Sequence, residues 1–218
     1  MTILIRCDAS LNIGSGHVMR CRTLALELQK YGENIVFVCR RQPGDMINLL
    51  RREFRVITLE EQQIVSCEGR EGRKLYEGWL GCDQRKDVDN CIQSLKKTGI
   101  NEVNWIVVDH YGLDSWWESA IRKYFSGEGN QPKILAIDDL ADRKHTAEIL
   151  LDQNYYGEVG DSRYMHLVNK DCNQLLGPNY ALIAAEYKHL RSIIPPRKEV
   201  KRVLIYFGGT DKNDLTGR

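Results

Sequence analysis

The chain has 218 residues, 42% of them hydrophobic and 28% charged, enough to bury one large core or one domain and part of another. With 31 basic and 30 acidic side chains the net charge is +1, which gives no electrostatic footprint for nucleic acid or an anionic membrane. The longest apolar runs are about five residues, far short of a membrane span, and no basic-then-apolar leader precedes the first strand-like run.

That first run, residues 2–6 (Thr2-Ile3-Leu4-Ile5-Arg6), is apolar and rich in β-branched side chains, as expected of a strand buried on both faces. A helix is predicted over residues 16–31, with Val18, Cys21, Leu24, Ala25 and Leu28 on its apolar face and Arg20, Arg22, Glu27 and Lys30 opposite. Between them, Gly14-Ser15-Gly16-His17 occupies a turn at the carboxyl end of a strand. Glycines there permit a tight turn and close backbone approach to a ligand, and the free N–H groups of the helix start favour an anion. The same field disfavours an imidazolium in the first helical turn, so His17 is expected as a neutral ring able to take a proton. A plain glycine turn with His17 as a cap fits these residues too.

Further strands are predicted over residues 34–39, 55–59, 105–109, 133–138 and 149–152, and helices over 44–52, 83–98 and 113–125. This alternation predicts an α/β protein, a Rossmann-like doubly wound parallel sheet with helices on both faces. Asp109-His110-Tyr111, Asp138-Asp139 and Asp152-Gln153-Asn154 each follow a strand, so they are expected at the same carboxyl edge as His17. Carboxylates there can orient an imidazole, hold a sugar hydroxyl or cap the next helix, and Asp114 and Asp139 suit either role. Arg40-Arg41 and Arg51-Arg52 read as solvated surface, and Cys7, Cys21 and Cys39 as small hydrophobes. The seven cysteines form no C-x-x-C pair, and their odd number argues against a closed disulfide framework; a reducing cytoplasm is expected.

Residues 1–192 are expected to form the first domain. Paired prolines at 195 and 196 mark residues 193–200 as a linker. Residues 202–207 repeat the buried-strand pattern and lead into Gly208-Gly209-Thr210-Asp211. Residues 201–218 are therefore expected to be the first strand and glycine loop of a truncated second domain, the remainder lying downstream or on a separate chain, because 11 residues after Phe207 cannot complete a βαβ unit.

Several cofactor chemistries find no support in the sequence. A dinucleotide fingerprint would need a third glycine where Met19 stands, and no acid follows the second strand to hold a ribose. Walker A, H-E-x-x-H and G-x-S-x-G patterns are missing and the histidines are scattered, so no metal or cofactor is expected.

Six segments together resemble one family. These are Arg6-x-Asp8-Ala9-Ser10 through Ile13-Gly14-x-Gly16-His17-x-x-Arg20-Cys21, Trp79-Leu80-Gly81, Val108-Asp109-x-Tyr111-x-Leu113-Asp114, Ile137 through Arg143, Leu150-Leu151-Asp152-Gln153-Asn154, and Leu176-Gly177-Pro178-x-Tyr180-Ala181-Leu182. They resemble the amino-terminal half of the PseG family, the UDP-2,4-diacetamido-2,4,6-trideoxy-β-L-altropyranose hydrolases of pseudaminic acid biosynthesis. The resemblance implies a GT-B-like pair of Rossmann-type domains with a UDP-sugar between them and His17 as the general base that activates water. It also implies substrate contacts by Asp8, Gly14, Gly16, Arg20, Tyr111, Arg143, Asn154 and Tyr180. Ala184-Ala185-Glu186-Tyr187 departs from the family's Arg-Pro-Glu-Phe segment by losing the arginine. A GT-B-type glycosyltransferase and a non-catalytic sugar-nucleotide-binding fragment are the competing expectations.

Overall fold

The structure, a computed structural model, describes residues 1–61, 73–127, 131–196, 198–206, 211 and 214–217. Its centre is a sheet of seven parallel strands: β1 (Thr2–Cys7), β2 (Asn34–Arg40), β3 (Arg55–Leu59), β4 (Trp105–Asp109), β5 (Lys133–Ile137), β6 (Ile149–Asp152) and β7 (Asn173–Leu176), in the order β3-β2-β1-β4-β5-β6-β7. The doubly wound α/β architecture expected from the alternation of elements is therefore observed. Connections run outward in one direction from β1 and in the other from β4. The loops leaving these two strands diverge and open a crevice at their carboxyl ends, where ligands of open α/β sheets bind.

Strand periodicity explains the two-sided core. Ile3, Ile5 and Cys7 of β1 point to one face and pack with Val18, Cys21 and Ala25 of α1 (Gly16–Lys30) and with Ile47 and Leu50 of the single-turn α2 (Ile47–Leu50). Leu4 points to the other face, with Ile106 and Val108 of β4. It packs against Val88, Cys91 and Leu95 of α4 (Gln84–Lys97) and Trp117 and Ile121 of α5 (Ser115–Phe125). A shorter helix, α3 (Arg73–Trp79), precedes α4. Two of these helices start on side-chain caps: Asp83 accepts from Lys86 N at 2.9 Å and Asp114 from Trp116 N at 2.9 Å. Asp114 thus takes the capping role.

The helix expected over residues 44–52 contracts to α2, because Gly44 adopts φ 83° and Asp45 accepts from Ile47 N, which starts the turn later. β7 escaped the hydrophobic pattern because Asn-Gln-Leu-Leu neither alternates nor runs apolar, and α6 (Ala185–Ile193) was likewise unexpected. Residues 202–206 form no strand. Val203 and Leu204 stand 76% and 90% exposed, since this apolar segment has no neighbour among the described residues with which to pair its backbone. Residues 207–210 lie outside the described residues. Among the described residues no helix is long and apolar enough to cross a membrane.

Arg40 corrects the surface reading of the Arg40-Arg41 pair. It is 1% exposed, because β2 carries it into a buried cluster beneath the carboxyl edge. There Asp87 accepts from Arg6 Nε at 3.2 Å and Nη2 at 2.9 Å, from Arg40 Nη2 at 2.6 Å and from Trp117 Nε1 at 2.9 Å. Burial alone would raise the Asp87 carboxyl, but Arg6 and Arg40 overcome it and hold the group well below the usual carboxylate range. Replacing Asp87 by Asn leaves two buried guanidiniums undercompensated, and a loss of about 3–5 kcal/mol of stability is expected by urea denaturation.

A second buried cluster joins α5 to the segment after β5. Glu118 accepts from His145 Nδ1 at 2.6 Å and from Thr146 N at 2.5 Å, while Asp138 lies 3.8 Å from His145 Nε2. Burial disfavours the charged ring, but the carboxylates of Asp138 and Glu118 outweigh it and push His145 from 6.5 up to about 9. A folded-state value above the unfolded one contributes stability that is complete below pH 6.5 and lost as pH rises through about 9. The melting-temperature advantage of the wild type over His145→Gln is accordingly expected to shrink across that window.

Candidate active site

The loop after β1 is shaped by its own hydrogen bonds. Ser10 Oγ accepts from Asn12 N and Ile13 N at 3.2 and 3.1 Å, and Gly14 N donates to Ser10 O at 2.8 Å. Gly14 sits at φ 81°, where a β-carbon is strained, so this glycine sets the turn. Gly16 has ordinary helical geometry and instead leaves open space at the cleft wall. His17 follows as the second residue of α1, with its side chain drawn inward across the switch point to β4.

There His17 Nδ1 lies 2.5 Å from Oδ1 of Asp109, a fully buried carboxylate. Arg20, one helical turn on, grips the same carboxylate with two bonds of 2.6 Å, and Cys21 Sγ adds a weaker donor at 3.4 Å. Burial would raise the Asp109 carboxyl, but Arg20 and then His17 hold it well below the usual range, so it stays ionised. An ionised carboxylate only accepts, so the imidazole proton sits on Nδ1. The 3.2 Å approach of Arg20 Nη2 to that nitrogen is then a contact rather than a hydrogen bond. Nε2, on the far side of the ring, has no hydrogen-bond partner among the described residues. His17, Arg20, Trp79, Tyr111 and Gln153 line a cleft of about 260 Å³ there.

Asp139, just past β5, ties the rest together. Its carboxylate accepts from Tyr111 Oη at 2.5 Å, Arg20 Nη1 at 3.3 Å and Asn154 Nδ2 at 3.3 Å, and its carbonyl from Tyr156 Oη and Arg163 Nη2, each at 2.7 Å. Burial and this bond to Asp139 raise the Tyr111 phenol far above its ordinary value, which keeps it a donor. Of the residues expected to contact substrate, Gly16, Arg20 and Tyr111 line the cleft with His17, Gly14 shapes the loop that leads to it, and Asn154 stands beside it, bound to Asp139. Arg20 is a largely buried partner of two aspartates, Asp109 and Asp139.

Three expected contacts lie elsewhere. Asp8 is fully buried, accepting from Arg6 Nη1 at 2.5 Å and Arg40 N at 2.7 Å, with His110 Nε2 3.6 Å away; it supports the loop from below and has no path to a ligand. Arg143 pairs with Asp138 at 2.6 Å, donates to Leu113 O and stands 5.7 Å from the Tyr111 ring centroid, bracing that tyrosine from behind. Tyr180 sits on the short turn Pro178–Tyr180, half exposed and outside the lining of the His17 cleft. Asp109, Asp139 and Gln153 belong to segments expected at this carboxyl edge, and their signal was position, at or just past strand ends. Trp79, at the end of a helix that the hydrophobic pattern did not show, is the member that sequence reading did not place in the site. Among the described residues no group of three or more His, Cys, Asp or Glu side chains could hold a metal ion.

No protein-family model matches the chain. It is 29% identical over 216 residues, 99% of its own length, to the UDP-2,4-diacetamido-2,4,6-trideoxy-beta-L-altropyranose hydrolase of Campylobacter jejuni. The resemblance read from the motifs is borne out. An uncharacterized protein of Methanocaldococcus jannaschii is 24% identical over 221 residues, again 99% of this chain. The chain spans 63% of the first relative and 38% of the second. A crystal structure of Acinetobacter baumannii MurG aligns with 71% of this chain and 41% of its own, at 12% identity and a TM-score of 0.39.

The dyad makes a spectroscopic prediction. In the neutral ring, nitrogen NMR should show the proton on Nδ1 of His17. In Asp109→Asn, whose amide is a weaker acceptor, the population should move toward the Nε2–H form that free imidazoles prefer; an unchanged tautomer would remove Asp109 as the orienting group.

Proposed function

We propose that this chain is the base-bearing, sugar-binding half of a nucleotide-sugar hydrolase, releasing UDP from a UDP-linked diacetamido-trideoxy sugar on the route to a nonulosonic acid of the pseudaminic type. The observation that carries this reading is the His17–Asp109 pair. It is a histidine with one nitrogen bound to a buried, ionised carboxylate and the other facing a cleft, at the point where an open α/β sheet binds its ligands. His17 Nε2 takes a proton from the water that displaces UDP, and the imidazolium so formed is stabilised by Asp109, already held negative by Arg20. Gln153 in the lining of the cleft and Asn154, held beside it by Asp139, offer polar contacts to the sugar. Neutral polar partners suit acetamido and hydroxyl groups better than an additional charge would.

The diphosphate and the uracil of the nucleotide fall to a second domain that begins near residue 201, giving a GT-B-like pair. The exposed apolar residues Val203 to Tyr206 support this, as a strand awaiting its sheet, and so does the greater length of both relatives. The free buried thiols of Cys7, Cys21 and Cys39 fit a cytoplasmic setting.

His17→Asn keeps size and hydrogen bonding and removes the base. With the chain supplied with a nucleotide-binding second domain, turnover is expected to fall by about 10²–10⁴ while the fold, read by circular dichroism, is unchanged. UDP release that needs no sugar acceptor supports hydrolysis. Strict dependence on an acceptor hydroxyl would make the chain half of a glycosyltransferase, and binding without any UDP release would make it a binding module.

A further inference from the structure

The cleft is lined by two kinds of side chain. Arg20, His17 and Gln153 are polar, and the Gln153 carbonyl already accepts from Leu182 N at 3.1 Å, leaving its amide N–H groups as donors. Trp79 and Tyr111 are aromatic. Tyr111 meets the His17 ring edge-on at 4.5 Å between centroids, and Trp79 lies 6.1 Å from Tyr111, tilted by only 32°. Tyr76 stands edge-on to both, 4.9 Å from Trp79 and 5.2 Å from Tyr111, and fixes the pair as a T-shaped support.

This wall is held in place by the backbone. Gln42 Nε2 donates to Trp79 O at 3.0 Å, tying the end of α3 to the segment after β2. Gly112 lets α3 sit down on the loop after β4: a β-carbon there would meet Tyr76 O at 2.7 Å, a backbone clash that only movement of α3 could relieve. The Tyr111 hydroxyl is bound to Asp139, so the tyrosine offers its ring to the cleft rather than its phenol. Two preorganised rings beside the base, in the same cleft as polar donors, suit a ring molecule with one polar face and one rich in C–H groups.

Building on the hydrolase reading, we propose that Trp79 determines specificity. With Tyr111 it forms an apolar wall that selects nucleotide sugars bearing methyl substituents, the C6 methyl of a deoxy sugar or the methyl of an acetamido group, over fully hydroxylated hexoses. Methyl groups lose nothing by leaving water for this wall, whereas a hydroxyl placed against it loses its hydrogen bonds.

The test is equilibrium binding by the full chain supplied with a nucleotide-binding second domain, using a UDP-linked diacetamido-trideoxy hexose, UDP-glucose and UDP as probes. Wild type is expected to bind the first about tenfold or more tighter than UDP-glucose, a difference of about 1.4 kcal/mol. Trp79→Phe should keep most of that gap. Trp79→Ala should reduce it to about twofold with the dissociation constants for UDP-glucose and UDP unchanged, which also reports an intact fold. Gly112→Ala, by displacing α3, should narrow the gap in the same direction. A gap that survives in Trp79→Ala overturns the proposal, as does its absence in wild type or an equal weakening of all three ligands. Failure of the hydrolase reading appears separately, as a preserved binding gap with no UDP released in the turnover assay.

Discussion

The site depends on one buried negative charge. Asp109 ends the central strand β4 and is sealed from water, which by itself would drive its carboxyl neutral. It stays ionised because α1 delivers two partners from one face, His17 and Arg20, three residues apart and therefore neighbours on the helix. The dependence is mutual: the carboxylate fixes the imidazole tautomer, and the guanidinium that stabilises the carboxylate also reaches Asp139 and, through it, Tyr111 and Asn154. A single ion therefore couples β1, β4, β5 and β6 at their carboxyl ends.

Two further polar clusters hold the ground beneath it. Arg6, Asp8, Arg40 and Asp87 lock β1 and β2 to α4, and Glu118, His145, Asp138 and Arg143 lock α5 to the loop after β5. Replacing such groups by apolar ones of similar size is often neutral for stability, so their value here is positional. Asp8 and Arg143 illustrate the point. Each sits in a motif that resembles a substrate-binding segment, yet each is turned inward, Asp8 under the glycine turn and Arg143 behind Tyr111. A residue can belong to a functional motif without touching the ligand itself.

Much of the fold was legible because parallel strands buried on both faces leave a strong mark. Ile106-Val107-Val108 could hardly be anything but a central strand, and the three- and four-residue spacing of Val18, Cys21 and Ala25 allowed only a helix. Where burial is weaker the mark fades. The edge strand β7 was invisible for that reason, and residues 202–206 read as a buried strand although nothing among the described residues pairs with them. In the site, His17 was legible from its place after a strand and glycines. Arg40 was misread as surface because charge in a sequence is presumed solvated, and only Asp87, 47 residues away, shows why it is not.

By itself the sequence determined the periodicities that make a doubly wound sheet, the glycine turn that Gly14 alone can make, and the placing of polar residues after successive strands. Those are local properties, set by sterics and by the side-chain repeat of helix and strand. Tertiary structure decided which of the many aspartates serves His17, that Arg20 faces carboxylates rather than solvent, and that Trp79 and Tyr111 share a wall. These pairings join residues up to 119 positions apart, and their energies depend on burial and distance, quantities that exist only once the chain has folded.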